Sequence, residues 1–165
     1  MEGYDSARYG RSFADVYDDW YRDVSDVDAT VHTVAVLAAR RGGGRVLELG
    51  IGTGLNLPHY PPEVRRIVAV DPNPGMAERA RERMENCGVQ VEHHRITAES
   101  LPFDSASFDS VVCTLTLCSI PKVGAALTEV RRLLKPGGQF LFFEHGRHPE
   151  ARLAKWQDRI DPWWG

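Results

Sequence analysis

One stretch limits what this chain can fold into more than any other: residues 45–54, Arg-Val-Leu-Glu-Leu-Gly-Ile-Gly-Thr-Gly, an apolar run that ends in a carboxylate and then in three alternating glycines. The apolar residues suit a parallel strand covered on both faces. Glycine at every second position permits positive φ and lets backbone N–H groups approach a ligand with no Cβ in between. A dinucleotide fingerprint would read G-x-G-x-x-G and open directly into a helix whose N-terminus takes a pyrophosphate. Here the third glycine, Gly54, comes one place early, and Leu57-Pro58 points to a short or interrupted helix. Glu48, at the strand end, would repel a pyrophosphate but could accept from a ligand ammonium group. The stretch reads either as a nucleoside-binding turn or as a plain tight strand-to-helix turn. Val68-Ala69-Val70-Asp71 favours the first, because an apolar strand ending in an acid roughly 20 residues on is where a ribose-binding carboxylate belongs.

The rest of the chain alternates helix with strand. Phe13, Val16, Tyr17, Trp20 and Tyr21 recur at helical spacing over 12–24, either as a helix packed on the domain or as a lid whose aromatic faces would attract a cation. A second helix is expected over 28–41, with Val31, Val34, Leu37 and Ala38 inward and Gly42-Gly43-Gly44 closing it. Strands are expected at 66–70, 89–96, 108–115 and 139–143. Helices are expected at 74–86, 123–134 and 151–160, with Pro74 in a first turn. Lys135-Pro136-Gly137-Gly138 reads as the turn into the last strand. The fold class is α/β, a doubly wound parallel sheet with its ligand crevice at the carboxyl ends of the strands.

Four motifs in order, 47–54, Val70-Asp71-Pro72-Asn73-Pro74-Gly75-Met76, Ala98-Glu99-Ser100-Leu101-Pro102-Phe103 and Leu134-Lys135-Pro136-Gly137-Gly138, resemble the class I S-adenosylmethionine-dependent methyltransferases, whose fold is Rossmann-like. Cys113-Thr114-Leu115-Thr116-Leu117-Cys118-Ser119, Phe143-Glu144-His145 and Asp161-Pro162-Trp163-Trp164 are similar to stretches of the alkyl-thiol methyltransferases and their bacterial relatives. The bacterial phosphatidylethanolamine N-methyltransferases are a second resemblance. The resemblance implies S-adenosylmethionine as cofactor and S-adenosylhomocysteine as product; the cluster Glu144, His145 and His148, with His93-His94, has the spacing of no zinc pattern, so no metal is expected. The resemblance also implies that Gly50, Gly52 and Gly54 approach the amino-acid portion of the cofactor with Glu48 close by. Asp71 would accept both ribose hydroxyls, Pro72 and Met76 would flank the adenine, and Ala98 and Glu99 would lie at its edge. Tyr17 and Thr114 would complete the cofactor side. Trp20, Tyr21, Leu117, Cys118 and Glu144 would line the acceptor side. His145 is the candidate general base, with a structural histidine as the alternative. Cys113 and Cys118 read as small buried hydrophobes.

The sequence reads as one domain, 1–165, with helices or lid over 1–41, a core over 45–144 and a further helix over 149–165. A chain of 165 residues can bury roughly 70% of its unfolded surface without staples. A net charge of −3 gives no footprint for nucleic acid. Three cysteines close no disulfide set, and no run of 18 apolar residues or secretory pattern occurs, so the expected setting is the cytoplasm. The thiol methyltransferases it resembles carry an N-terminal hydrophobic anchor that has no counterpart here. The expected acceptor is a small nucleophile, best a thiol. The alternatives are a phospholipid amine, which requires membrane docking, and a non-catalytic cofactor-binding module. The resemblance also implies two further strands after the last helix, neither of which the sequence supplies. The 165-residue chain is therefore expected either to be a fragment of a longer enzyme or to pair as two copies through strand five or the C-terminal segment.

Overall fold

Five strands form one all-parallel sheet in the order β3-β2-β1-β4-β5 in the computed structural model, which describes residues 27–40, 44–144, 146 and 149–160. The elements are α1 (Val27–Ala39), β1 (Gly44–Leu49), β2 (Val64–Val70), α2 (Pro74–Asn86), β3 (Gln90–His94), β4 (Phe108–Thr114), α3 (Val123–Leu133), β5 (Leu134–Phe143) and α4 (Ala151–Ile160). Short 3₁₀ turns lie at Leu57–His59 and Leu117–Ser119. The aromatic helix expected over 12–24, with Tyr17, Trp20 and Tyr21, lies outside the described residues, as do His145, Trp163 and Trp164.

Strand periodicity explains the two layers of core. Successive side chains of a strand enter opposite faces, so Val46 joins Ile67, Ala69 and Val112 beneath Val34, Ala35 and Ala38 of α1 and Ala80 of α2. Leu47 and Leu49 join Val68, Val70, Val111 and Cys113 beneath Ala126, Val130 and Leu133 of α3. Each fully buried Leu or Val contributes roughly 1.5–3 kcal/mol relative to exposure. Continuous apolar runs in β1, β2 and β4 are thus the expected signature of strands covered on both sides.

Helix α2 begins where the sequence placed it. Asn73 caps it, its Oδ1 accepting from the N–H of Gly75 at 3.0 Å and of Met76 at 3.4 Å, and Pro74 fills the first helical position.

The expected turn at 135–138 is instead absorbed into β5. Leu134 pairs with Phe108, and the ladder resumes with Gln139 opposite Ser110, leaving an irregularity between. Pro136 has no N–H to give to a ladder, and Gly137 at φ +77° supplies the left-handed step. Strand β3 is shorter than expected, because the N–H of Ile96 turns back to the carbonyl of His94 at 3.0 Å.

With β1 central, the chain leaves to β2 and β3 on one side and to β4 and β5 on the other. The crevice at such a reversal point, outside the carboxyl ends of the strands, is where ligands bind in open α/β sheets.

Candidate functional site

The three glycines after β1 all take positive φ, +67°, +55° and +83°, but for different reasons. A Cβ on Gly50 would stand 2.2 Å from Thr116 Cγ2, so this position is glycine because the turn after β4 presses on it. A Cβ on Gly54 would meet Leu57 at 3.2 Å and Ala80 of α2 at 3.4 Å. Gly52 alone faces open space, with nothing within 4 Å of an added Cβ. Its N–H donates to Asp71 Oδ2 at 2.9 Å.

Asp71, at the end of β2, is buried, and its other oxygen accepts from the N–H of Asn73 at 2.8 Å. Burial raises its pKa, while the backbone N–H groups of Asn73 and Gly52 and the neighbouring His93 oppose the rise. Each oxygen keeps a lone pair for a hydroxyl donor.

Glu48 is only 1% exposed, so its carboxylate lies beneath the turn rather than in the crevice, and direct acceptance from a ligand ammonium is not its role. Its Oε1 accepts from Asn56 Nδ2 at 2.6 Å, and Asn56 Nδ2 also donates to Thr114 Oγ1 at 3.0 Å, tying the end of β1 to the end of β4. Burial pushes the Glu48 pKa up to about 7, partly opposed by Asn56 and the adjoining Tyr60. Glu48 Oε2 and Tyr60 Oη are both buried and make no hydrogen bond of regular geometry.

On the α2 side, Met76 and Ala98 are buried, Glu99 is half-buried and Pro72 is exposed. The segment carrying Ala98 and Glu99 is held by a clamp on α3. Arg132 Nη1 donates to the carbonyl of Phe103 at 2.7 Å and Nη2 to that of Leu101 at 2.9 Å. Glu129, paired with Arg132 at 2.7 Å, accepts the N–H of Leu101 at 2.9 Å.

Across the crevice, Thr114 and Leu117 are half-buried at the end of β4. Cys113 is buried as expected, but Cys118 is exposed. Burial, then the charge of Glu144, raises the pKa of both thiols, that of Cys113 far above the usual range. A raised thiol pKa lowers the thiolate fraction of both at neutral pH. Glu144, expected on the acceptor side, turns inward and accepts from the N–H groups of Thr116 at 2.8 Å and Leu117 at 2.9 Å. Among the described residues no three His, Cys, Asp or Glu side chains form a metal cluster.

The structure therefore pairs Gly52 with Asp71, sets Asp71 and Thr114 at the carboxyl ends of β2 and β4, and packs Ala98 and Leu117 into one apolar cluster. The sequence reading missed Asn56, Tyr60, Glu129 and Arg132. Asn56 and Tyr60 carried a faint signal in their closeness to the glycine turn. Arg132 and Glu129 carried none beyond their i,i+3 spacing.

Comparison with known proteins agrees with the fold. Thiol S-methyltransferase TMT1B of Rattus norvegicus is 41% identical over 123 residues, covering 72% of this chain and 50% of the relative. Phosphatidylethanolamine N-methyltransferase of Cereibacter sphaeroides is 33% identical over 141 residues, covering 84% of this chain and 68% of that protein. The crystal structure of the YcgJ protein of Bacillus subtilis superposes with a TM-score of 0.71 at 30% identity, over 81% of this chain and 58% of that one. The chain spans about half the length of the thiol methyltransferases it matches. Residues 47–142, from β1 to β5 and thus all five strand ends but the last residue, match the methyltransferase domain model, and the chain belongs to that family.

Proposed function

We propose that this chain binds S-adenosylmethionine and directs its methyl group to a small thiol. The observation that carries the reading is the pairing of Gly52 with Asp71. A backbone N–H and a buried carboxylate with spare lone pairs meet beside the one glycine of the turn that leaves room for a ligand. The residues present fit an adenosine: Asp71 for ribose hydroxyls, and Met76 and Ala98 as apolar flanks. Glu48, buried close below, favours positive charge above it.

S-adenosylmethionine supplies a methyl group already activated on a sulfonium, so the protein's contribution is to position the acceptor and exclude water. A thiol of pKa near 8.5 is partly ionised at neutral pH, and the site can act without a strong base. His145, the candidate base, and the aromatic lid of Tyr17, Trp20 and Tyr21 lie outside the described residues and stay part of the proposal. The match to thiol methyltransferases supports the acceptor class. We place the reaction in the cytoplasm, on the free state of Cys87, Cys113 and Cys118. No described helix is long and apolar enough to cross a membrane.

Calorimetry with S-adenosylmethionine followed by a panel of thiols, amines and phospholipid vesicles with mass detection tests the reading. Methylated thiol is the expected product, and turnover confined to vesicle amines would overturn the acceptor. Asp71→Ala is expected to weaken cofactor binding by about 3 kcal/mol, the loss of charge-assisted hydrogen bonds. An affinity within twofold of wild type would remove Asp71 from the site.

A further inference from the structure

Glu144 follows β5 directly, and its Oε1 takes three donors: the N–H groups of Thr116 and Leu117 and, at 3.4 Å, the thiol of Cys113. The two N–H groups open the 3₁₀ turn Leu117–Ser119, whose N-cap residue Thr116 makes no side-chain cap of its own. A helical N-terminus leaves such donors unsatisfied unless another group accepts from them. The backbone here is also strained. Leu115 sits at φ +51°, a left-handed conformation uncommon for leucine, while its N–H extends the ladder to the carbonyl of Phe143 at 2.7 Å. Strain of this kind persists only where the surroundings over-determine it, and Glu144 is the polar anchor that does so.

The group held in place by this anchor is Thr116. Its side chain occupies the space beside Gly50, and its Oγ1 donates to the carbonyl of Thr114 at 2.9 Å. One carboxylate at the end of β5 thus fixes the turn after β4, and that turn abuts the glycine turn after β1.

We propose that Glu144 is a positioning residue for methyl transfer: it locks the turn at 115–117 against the glycine turn and so sets the distance between the acceptor side and the donor side of the crevice. The proposal rests on the methyltransferase reading above. In-line transfer tolerates little displacement, since an error of about 1 Å can cost on the order of a hundredfold in rate. Glutamine keeps an acceptor oxygen in the place of Oε1 and removes the charge, whereas alanine leaves both N–H groups without a partner.

The test compares wild type, Glu144→Ala and Glu144→Gln by amide exchange with S-adenosylhomocysteine bound, by calorimetric affinity for that compound, and by kcat and KM for the best thiol. Glu144→Ala is expected to speed exchange at Thr116 and Leu117 by about tenfold or more and to lower kcat by roughly ten- to a hundredfold. Acceptor KM and nucleoside affinity should move less than about threefold. Glu144→Gln should restore both protection and kcat to within about threefold of wild type. Unchanged exchange at 116–117 in the alanine variant, or a loss of nucleoside affinity as large as the loss of kcat, overturns the proposal. If wild type methylates no thiol, amine or lipid, the methyltransferase reading falls and the transfer role of Glu144 falls with it, whereas turnover by wild type with an unchanged kcat in the alanine variant overturns this proposal alone.

Discussion

Glu48 combines a carboxylate with almost complete burial, and this makes the stability of the protein depend on pH. Its folded pKa, about 7, lies above the unfolded value of 4.5, because burial penalises the charge. The folded state therefore binds the extra proton between those values. The stabilisation is fully present below pH 4.5 and is lost as pH rises through 7. Glu48→Gln, which keeps an oxygen for Asn56 but cannot ionise, is expected to recover on the order of 3 kcal/mol relative to wild type at about pH 8 and nothing at about pH 4. Urea unfolding at the two pH values checks it. The glycines allow a sharper contrast. Gly50→Ala forces a Cβ into Thr116 as well as an unfavourable φ, so it should destabilise the fold by several kcal/mol. Gly52→Ala meets only the φ penalty of about 1–2 kcal/mol, and its methyl group enters the open space that the proposed function gives to the ligand. Thermal unfolding and calorimetric affinity should therefore rank the two variants in opposite orders.

The segment 101–103 has no regular structure, yet α3 holds it through the Arg132–Glu129 clamp. Arg132 bridges two carbonyls that a loop would otherwise leave to water. Arg132→Ala is expected to cost about 1–2 kcal/mol, reduced by the partial exposure of the pair, and to weaken nucleoside binding severalfold by loosening Ala98 and Glu99. Hydrogen exchange over 98–103 measures it. This clamp also shows what the sequence could and could not disclose. Strands β1, β2 and β4 were legible because burial on both faces leaves an unbroken apolar run, and α2 because Asn-Pro marks a cap. The position of Asp71 at the end of β2 was legible because an apolar strand closing on an acid marks a place that topology defines. Arg132, Asn56 and the inward turn of Glu144 were not. Each joins residues far apart in the chain, Arg132 to Phe103, Asn56 to Thr114 and Glu144 to Thr116, and no local pattern encodes such a meeting. The irregular start of β5 was misread for a related reason: Pro136 and Gly137 signal a local turn, but pairing with β4 carries the ladder past it.

Among the described residues β5 pairs on one side only, with β4, and Phe142, 60% exposed, and Phe143 lie along it. Trp156 of α4 is similarly open at 59%. An exposed edge strand bearing aromatic residues recruits another strand. We propose that two copies of this 165-residue chain pair through it, and light scattering over a dilution series is expected to show a concentration-dependent dimer. A monomer at all micromolar concentrations, with β5 amides protected from exchange, would rule the pairing out. The position of β1 at the middle of the sheet has another consequence. On the function proposed above, Asp71 and the 98–103 segment take the nucleoside from one flank, while Thr116, Leu117 and Glu144 shape the other, and Asn56 ties the end of the central strand to the end of β4. On that proposal, grip on the methyl donor and choice of methyl recipient are separable inheritances, so that a lineage of such proteins can explore new recipients by altering the segments after β4 and β5 without relearning how to hold the donor.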